Sequence, residues 1–500
     1  MSALETLWWL AFWTAVGLCV GSFLNAVIFR LPRNRSLRVP LWSACPHCHK
    51  PIIWYDNIPV LSFLLLGGRC RRCGVPIATR YPVVEICMAV IVLMLVDAFF
   101  IGRVREGLSH RTYGLSDRLA WDWPMLVGHA ILFACLLAMS AIDLEHYWVD
   151  IRFTNVVTLA GFVLHTIWTP AYSDKWIRPS DSMALGALFA LGGLILVWLI
   201  RACRPHVDPE DLAEPELPVE DVPFPPAPIV RRPPPSLVSP SRLAKWVALA
   251  LLLALLVNLF FAETSPKTFQ HAGRALVPLL FLFLLIVSES TIERASDHAI
   301  TQAIHEERFS ARRMVITELF LLLPAIALGI LGIWLVGQSG ELADRLHAGL
   351  HVRLPIHFSA IPFLRQWTPL YGLATAAAGY IIAGALGWIV RIVFTLVLGK
   401  EAFGTGDIHL MAAAGCVAGW PVAVVGFVLT CGLALLGWLI CLPFKQSRAL
   451  PLVPWLSLSF LTVVIFLDSI LRSEFVERIL AVAGSLAGET ARENPGLIWP

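Results

Sequence analysis

Charged side chains are scarce in this 500-residue chain: 15% of residues, where ordinary soluble domains carry about 25%. With 57% hydrophobic residues and a mean hydropathy of +0.73, a single water-soluble core is excluded and a polytopic membrane protein is expected. The net charge of +3 is too small to imply a nucleic-acid partner. No HExxH stands anywhere in the chain, which excludes a metalloprotease helix; His298 and His305 read as solvated faces of an amphipathic connector over 290–314. The N-terminus lacks a basic stretch and a small-residue cleavage site, so the first apolar segment is expected to be a retained span rather than a signal peptide.

What the chain has instead is long apolar runs. A run of roughly 17–25 residues suits one bilayer crossing. Such runs recur near 7–29, 83–101, 126–142, 153–169, 183–201, 243–262, 273–289, 315–337, 369–390, 408–420 with 421–445, and 453–471. Residues 204–242 are a different material, rich in proline and acidic side chains and poor in large apolar ones. They read as an extended, disordered linker, with a proline-binding partner as the lesser alternative.

Of the eleven cysteines, Cys19, Cys87, Cys135, Cys416, Cys431 and Cys441 sit in apolar segments and read as packing residues. The other signal is two Cys-x-x-Cys pairs, Cys45/Cys48 and Cys70/Cys73. Four thiolates at this spacing suit a tetrahedral Zn²⁺ site, because each short pair makes a tight knuckle. The surrounding polar module has few large apolar residues, so metal binding would supply much of its folding free energy. Two disulfides are the alternative. Arg30, Arg33, Arg35, Arg38, Lys50, Arg69, Arg71, Arg72 and Arg80 surround the pairs, and the positive-inside rule puts this loop in the cytoplasm. A reducing cytoplasm favours metal over disulfide. The loop at 102–125 cuts against this topology: it is expected outside, yet holds Arg103, Arg105, Arg111 and Arg118, partly offset by Glu106, Asp117 and Asp122.

Carboxylates at a bilayer boundary are costly and therefore informative. Asp143 ends an apolar run in AIDLEHYWVD, and Asp150 lies seven residues on, on the same face if the helix continues. Asp407 lies in GKEAFGTGDIHL, where Gly404 and Gly406 are expected to allow positive φ and a tight bend. The spans counted between Asp143 and Asp407 are even in number, so both aspartates return to one face. Two close aspartates cannot easily both ionise; they share a proton. The ionised member can activate water and the protonated one can polarise a peptide carbonyl, which is aspartic-protease chemistry. Snorkelling or helix-capping aspartates are the plainer alternative.

Six short stretches carry a resemblance. They are GSFLN at Gly21–Asn25, RLP at Arg30–Pro32, CPxC at Cys45–Cys48, WYDNIPxxS at Trp54–Ser62, GxCRxC at Gly68–Cys73 and RYPxxE at Arg80–Glu85. Together they resemble the N-terminal signature of the type IV prepilin peptidases, membrane aspartic proteases that trim pilins and type II secretion pseudopilins. The resemblance covers 17–170 and 370–470. It implies catalytic roles for Asp143, in the family's ID position, and for Asp407, in its GxGD. It adds Lys400, Glu401, Gly404 and Gly406 as accessory positions, with Asp150 as the competing first aspartate. It also implies prepilin substrates with a basic leader ending in glycine, and N-methylation of the new N-terminus with S-adenosylmethionine, for which no independent signature stands in the sequence. Glu85, Glu145 and Glu401 are candidates to attract the leader, with simple solvated carboxylates as the plainer reading. The chain departs from the pattern at Val149 (usually proline), His409 (usually lysine) and Phe403 (often methionine). Residues 204–368 look like an insertion.

The expected fold is thus an all-α polytopic membrane protein, a bundle of about eleven to twelve transmembrane helices with a small cytoplasmic zinc-binding module. The expected order is a first transmembrane helix (1–29), the module (30–82), a transmembrane bundle (83–203), the linker (204–242), an inserted transmembrane region (243–368), the GxGD region (369–471) and a tail (472–500). The expected function is a leader-cleaving aspartic endopeptidase of the inner membrane. A transporter using boundary carboxylates, or a scaffold without catalysis, stands as the alternative.

Overall fold

The computed structural model describes residues 3–33, 35–37, 43–101, 115–146, 149–168, 178–202, 311–338, 340–352, 368–398, 403–441, 451–471 and 473. The expected linker at 204–242, the spans at 243–262 and 273–289, the connector histidines and all but one residue of the tail lie outside them. So do Lys400 and Glu401, and so does the side chain of Glu145.

The described residues form helices α1 (Ala3–Arg30), α2 (Leu61–Leu65), α3 (Arg80–Val96), α4 (Leu115–His146), α5 (Ile151–Ile167) and α6 (Asp181–Ala202). They continue with α7 (Ala311–Gly337), α8 (Glu341–Leu350), α9 (Pro369–Leu398), α10 (Thr405–Ala418), α11 (Trp420–Cys441) and α12 (Val453–Leu471). Among the described residues there is no strand beyond two isolated bridges. Eight of these helices are long and apolar enough to cross a membrane: α1, α3 with its extension to Ile101, α4, α6, α7, α9, α11 and α12. Helices α5, with 17 residues, and α10, with 14, are shorter. The chain is a multi-pass membrane protein.

The eight long helices are apolar on all sides, as bilayer spans must be, so their packing falls to shape rather than to an amphipathic stripe. Helix α3 is buried along nearly its whole length. With α4 and α12 it makes a core in which Met88, Phe99, Phe133 and Phe460 are fully enclosed. Small residues let backbones meet: a Cβ on Gly21 would stand 2.6 Å from the Glu85 Cα, so α1 lies directly on α3. Helices α5, α9 and α10 pack on one another, and α7 pairs with α6 and touches α9 at the rim.

One assumption about local structure is corrected. The helix bearing Asp143 does not run on to Asp150. Its described part ends at His146, and Asp150 is the extended N-cap of α5 (φ −84°, ψ 115°). The two aspartates therefore belong to different helices and share no helix face.

Candidate active site

The cysteine module is built from two matching knuckles. In the first, Cys45 N–H donates to the Lys50 carbonyl at 3.0 Å and His49 N–H to the Cys45 carbonyl at 2.9 Å. In the second, Cys70 N–H donates to the Val75 carbonyl and Gly74 N–H to the Cys70 carbonyl, both at 2.9 Å. His49 (φ 57°) and Gly74 (φ 69°) occupy the same left-handed position after each pair. The four ligand sulfurs all lie within 4.8 Å of one another. Cys45 and Cys73 are 3.8 Å apart. A Zn–S bond of about 2.3 Å gives a tetrahedral S···S edge of about 3.8 Å, so the donor set fits a zinc ion, while a disulfide would need about 2.05 Å. All four thiols are free. Backbone N–H groups of Cys73 and Arg72 pull the Cys70 thiol down to about 6. Cys73 is lowered by the Val75 N–H but ends up at about 11, because desolvation and the neighbouring thiols outweigh it. Arg71 grips the Asp56 carboxylate bidentately at 2.7–3.1 Å, holding it below the usual range and fixing the Trp54–Asn57 turn to the second knuckle.

Glu85 ties the module to the bundle. Its carboxylate accepts the Val60 N–H at 2.7 Å and is also reached by Ser22 and Asn25 of α1. Val60 is the centre of a γ-turn: φ 60°, ψ −48°, with Leu61 N–H donating to the Pro59 carbonyl at 2.6 Å. A β-branched residue there is strained, and Glu85 helps hold it. At 7% exposure, Glu85 is neither a solvated carboxylate nor free to attract a leader. Three of the sequence stretches, GSFLN, NIPxxS and RYPxxE, thus meet at one buried carboxylate.

The distant aspartates do come together. Asp143, at the end of α4, and Asp407, in the first turn of α10, lie within direct electrostatic reach of each other. Asp143 Oδ2 accepts the N–H of Val453, the first residue of α12, at 3.1 Å. Asp407 folds back beside Gly404, its own N-cap, at the position an acidic third residue takes in a capping box. The N-termini of α10 and α12, whose first N–H groups have no acceptor within their own helix, therefore face the carboxylate pair. Asp143 is buried and Asp407 half-buried.

The glycines serve by closeness, not by positive φ. Gly404 has φ −68°, and neither it nor Gly406 is left-handed. A Cβ on Gly406 would stand 2.9 Å from the Val149 Cβ, and one on Gly404 3.1 Å from Asp407 Oδ2. Val149, which replaces the usual proline, is thus the surface against which the GxGD turn rests.

Asp150 is occupied elsewhere. It accepts the Arg152 N–H at 2.9 Å and forms a fork with the Arg152 guanidinium, closest at 2.6 Å. Arg152 also reaches the Leu31 carbonyl at 3.4 Å, so the aspartate end of the bundle is the end where α1 enters the cysteine module. Two contributors escaped the sequence reading. Val453 carries only a backbone donor, and its cue was the Pro454 that opens α12. Arg391 donates to the Phe403 carbonyl at 2.6 Å, and nothing in its local sequence marks it.

The Bacterial Peptidase A24 N-terminal domain matches residues 15–99. A prepilin leader peptidase/N-methyltransferase of Myxococcus xanthus (strain DK1622) is 40% identical over 149 residues, 30% of this chain and 38% of that protein. A type 4 prepilin-like proteins leader peptide-processing enzyme of Escherichia coli O78:H11 (strain H10407 / ETEC) is 36% identical over 171 residues, 30% of this chain and 54% of the relative. The chain thus spans only about half the length of these curated relatives. The prepilin leader peptidase/N-methyltransferase of Klebsiella pneumoniae is 32% identical over 200 residues, 38% of this chain and 73% of the relative. No solved structure matches. The resemblance carried by the short motifs, the cysteine knuckles and this coverage agree: the chain belongs to the prepilin leader peptidase/N-methyltransferase family.

Proposed function

We propose that the chain is a membrane aspartic endopeptidase that removes the leader of type IV prepilins or type II secretion pseudopilins. The observation that carries this is the meeting of Asp143 and Asp407 at one end of the bundle, each facing the N-terminus of a helix. One carboxylate takes a proton from water as the water attacks the scissile carbonyl. The other, protonated, donates to the carbonyl oxygen, and the pair returns a proton to the leaving amine. Asp150 caps α5 and positions the segment that Gly406 packs against; it is not the working partner.

The substrate is a basic leader followed by an apolar helix. Lipid holds that helix beside the bundle and brings the leader junction to the aspartates. The basic residues around the cysteine module support a position for it, and with it for the aspartates, at the cytoplasmic face of the inner membrane. The four cysteines hold a structural Zn²⁺. Four thiolates leave no position for a hydrolytic water, so the module shapes the approach of the leader instead. The relatives' names join the peptidase to an N-methyltransferase. That second activity would draw its methyl group from S-adenosylmethionine, and no cluster of described residues is assigned to it.

The test is co-expression with a prepilin, read by the gel-mobility shift on leader removal. Wild type and Asp150→Ala cleave; Asp143→Ala and Asp407→Ala do not, at equal protein level. Cleavage by either of the last two sinks the reading.

A further inference from the structure

The region 204–368 is extra to the family pattern, and its described part contains one buried ion pair with the rest of the protein. Glu318 of α7 faces Arg391 of α9, with Arg391 Nη2 to Glu318 Oε1 at 3.1 Å and Nε to Oε2 at 3.4 Å. The two side chains are 4% and 13% exposed, Arg391 and Glu318 respectively. Two apolar helices do not need such a pair to associate, and a buried pair is weak evidence for stability on its own. What sets this one apart is the third contact. Arg391 Nη1 donates to the Phe403 carbonyl at 2.6 Å.

That carbonyl belongs to the peptide unit joining Phe403 to Gly404. The N–H of the same unit lies beside the Asp407 carboxylate: a Cβ on Gly404 would stand 3.1 Å from Asp407 Oδ2. A peptide group is planar, so fixing its oxygen fixes the direction of its N–H. A charged donor on the oxygen also polarises the unit and strengthens the attraction of its N–H for the nearby carboxylate. The chain of contacts runs Glu318, Arg391, Phe403–Gly404 peptide, Asp407. The first two links are an ion pair and a hydrogen bond, the last is close approach, and the guanidinium has the planar fork needed to serve a carboxylate and a carbonyl at once.

We propose that Glu318 and Arg391 are positioning residues for Asp407. The inserted region thereby becomes part of the active-site scaffold rather than an appendage: α7 supplies the carboxylate that orients Arg391, and Arg391 aims the Gly404 N–H. This rests on the catalytic reading of Asp407 given above.

The experiment uses the full chain purified in detergent, with two readouts: steady-state cleavage of a prepilin, and amide hydrogen exchange of the 403–408 backbone. In Arg391→Gln, kcat falls by about 10²-fold through misplacement of the carboxylate, KM stays within about twofold, and exchange at 403–408 quickens. The charge-swapped pair Glu318→Arg with Arg391→Glu is decisive. It restores the ion pair and the thermal stability, but a glutamate at 391 cannot donate to the Phe403 carbonyl, so kcat stays low and exchange stays fast. If the swap restores kcat along with stability, or Arg391→Gln leaves exchange at 403–408 unchanged, the proposal is wrong. Should Arg391→Gln fail to accumulate, Arg391→Lys makes the same comparison, since a single ammonium cannot fork between Glu318 and Phe403. Asp407→Asn separates the two readings: if it cleaves like wild type, the catalytic assignment fails, while exchange at 403–408 still decides whether Arg391 braces the turn.

Discussion

The Val453 N–H donates to Asp143 across 310 residues of sequence, joining the start of the last described helix to the end of α4. This bond gives one carboxylate of the pair a fixed place, and Ser140 and Ser457, 2.9 Å apart one turn away, hold the same helix contact.

Replacing that donor is a clean test. Val453→Pro removes the N–H while keeping a residue suited to the first turn of a helix. We expect the helix to form and the protein to accumulate, with cleavage reduced about tenfold or more as the carboxylate loses a hydrogen bond worth about 1.5–3 kcal/mol. A single-turnover assay checks it; unchanged turnover would remove Val453 from the site.

Asp150 and Asp143 should part company under substitution. Asp150→Asn keeps a capping side chain and is expected to retain most activity. Asp150→Ala loses the cap, at a cost of about 1 kcal/mol, and lowers thermal stability more than catalysis. Thermal unfolding in detergent, run beside the cleavage assay, distinguishes this from a catalytic role.

Glu85 predicts a difference between two variants. Glu85→Gln still offers an oxygen to the Val60 N–H, and is expected to accumulate normally. Glu85→Ala leaves that N–H unsatisfied, at about 1–3 kcal/mol, and frees the strained turn. Limited proteolysis should then cut within 58–78 in the alanine variant alone.

The cysteine cluster is expected to bind one zinc per chain. Cys70→Ser or exhaustive chelation removes it, opens the knuckles to protease, and leaves α3, α4 and α12 packed. Metal analysis by mass spectrometry is the measurement; a chain that carries no zinc but keeps both knuckles closed would exclude the assignment.

Close approach at the GxGD turn gives a paired test. Gly406→Ala is expected to lower cleavage strongly, because its Cβ would stand 2.9 Å from the Val149 Cβ. Adding Val149→Gly vacates that space and should recover part of the loss, as coupled neighbours do.

Much of this was legible in advance for physical reasons that can be named. The apolar runs marked the described spans because a bilayer accepts little else, and the CxxC spacing marked the module. An even number of crossings between Asp143 and Asp407 allows them to share a face, though two of the counted spans, 243–262 and 273–289, lie outside the described residues. The break before Asp150 has a readable cue, since aspartate ahead of an apolar run is an N-cap signal. The GxG spacing points to backbone freedom, whereas the structure uses the missing side chains, Gly406 against Val149 and Gly404 against Asp407. The Arg391–Glu318 pair could not be read at all: the residues lie on separate helices, and only tertiary packing shows that they meet.

The reliance of Asp143 on the first N–H of α12 also orders events during synthesis. The ribosome completes the cysteine module and both aspartates before residue 453 exists, so a nascent chain holds Asp143 without its donor. On the proposed reading, proteolytic competence then waits until translation has delivered α12, the last described membrane helix, and a chain halted before it is inert beside its neighbours in the bilayer.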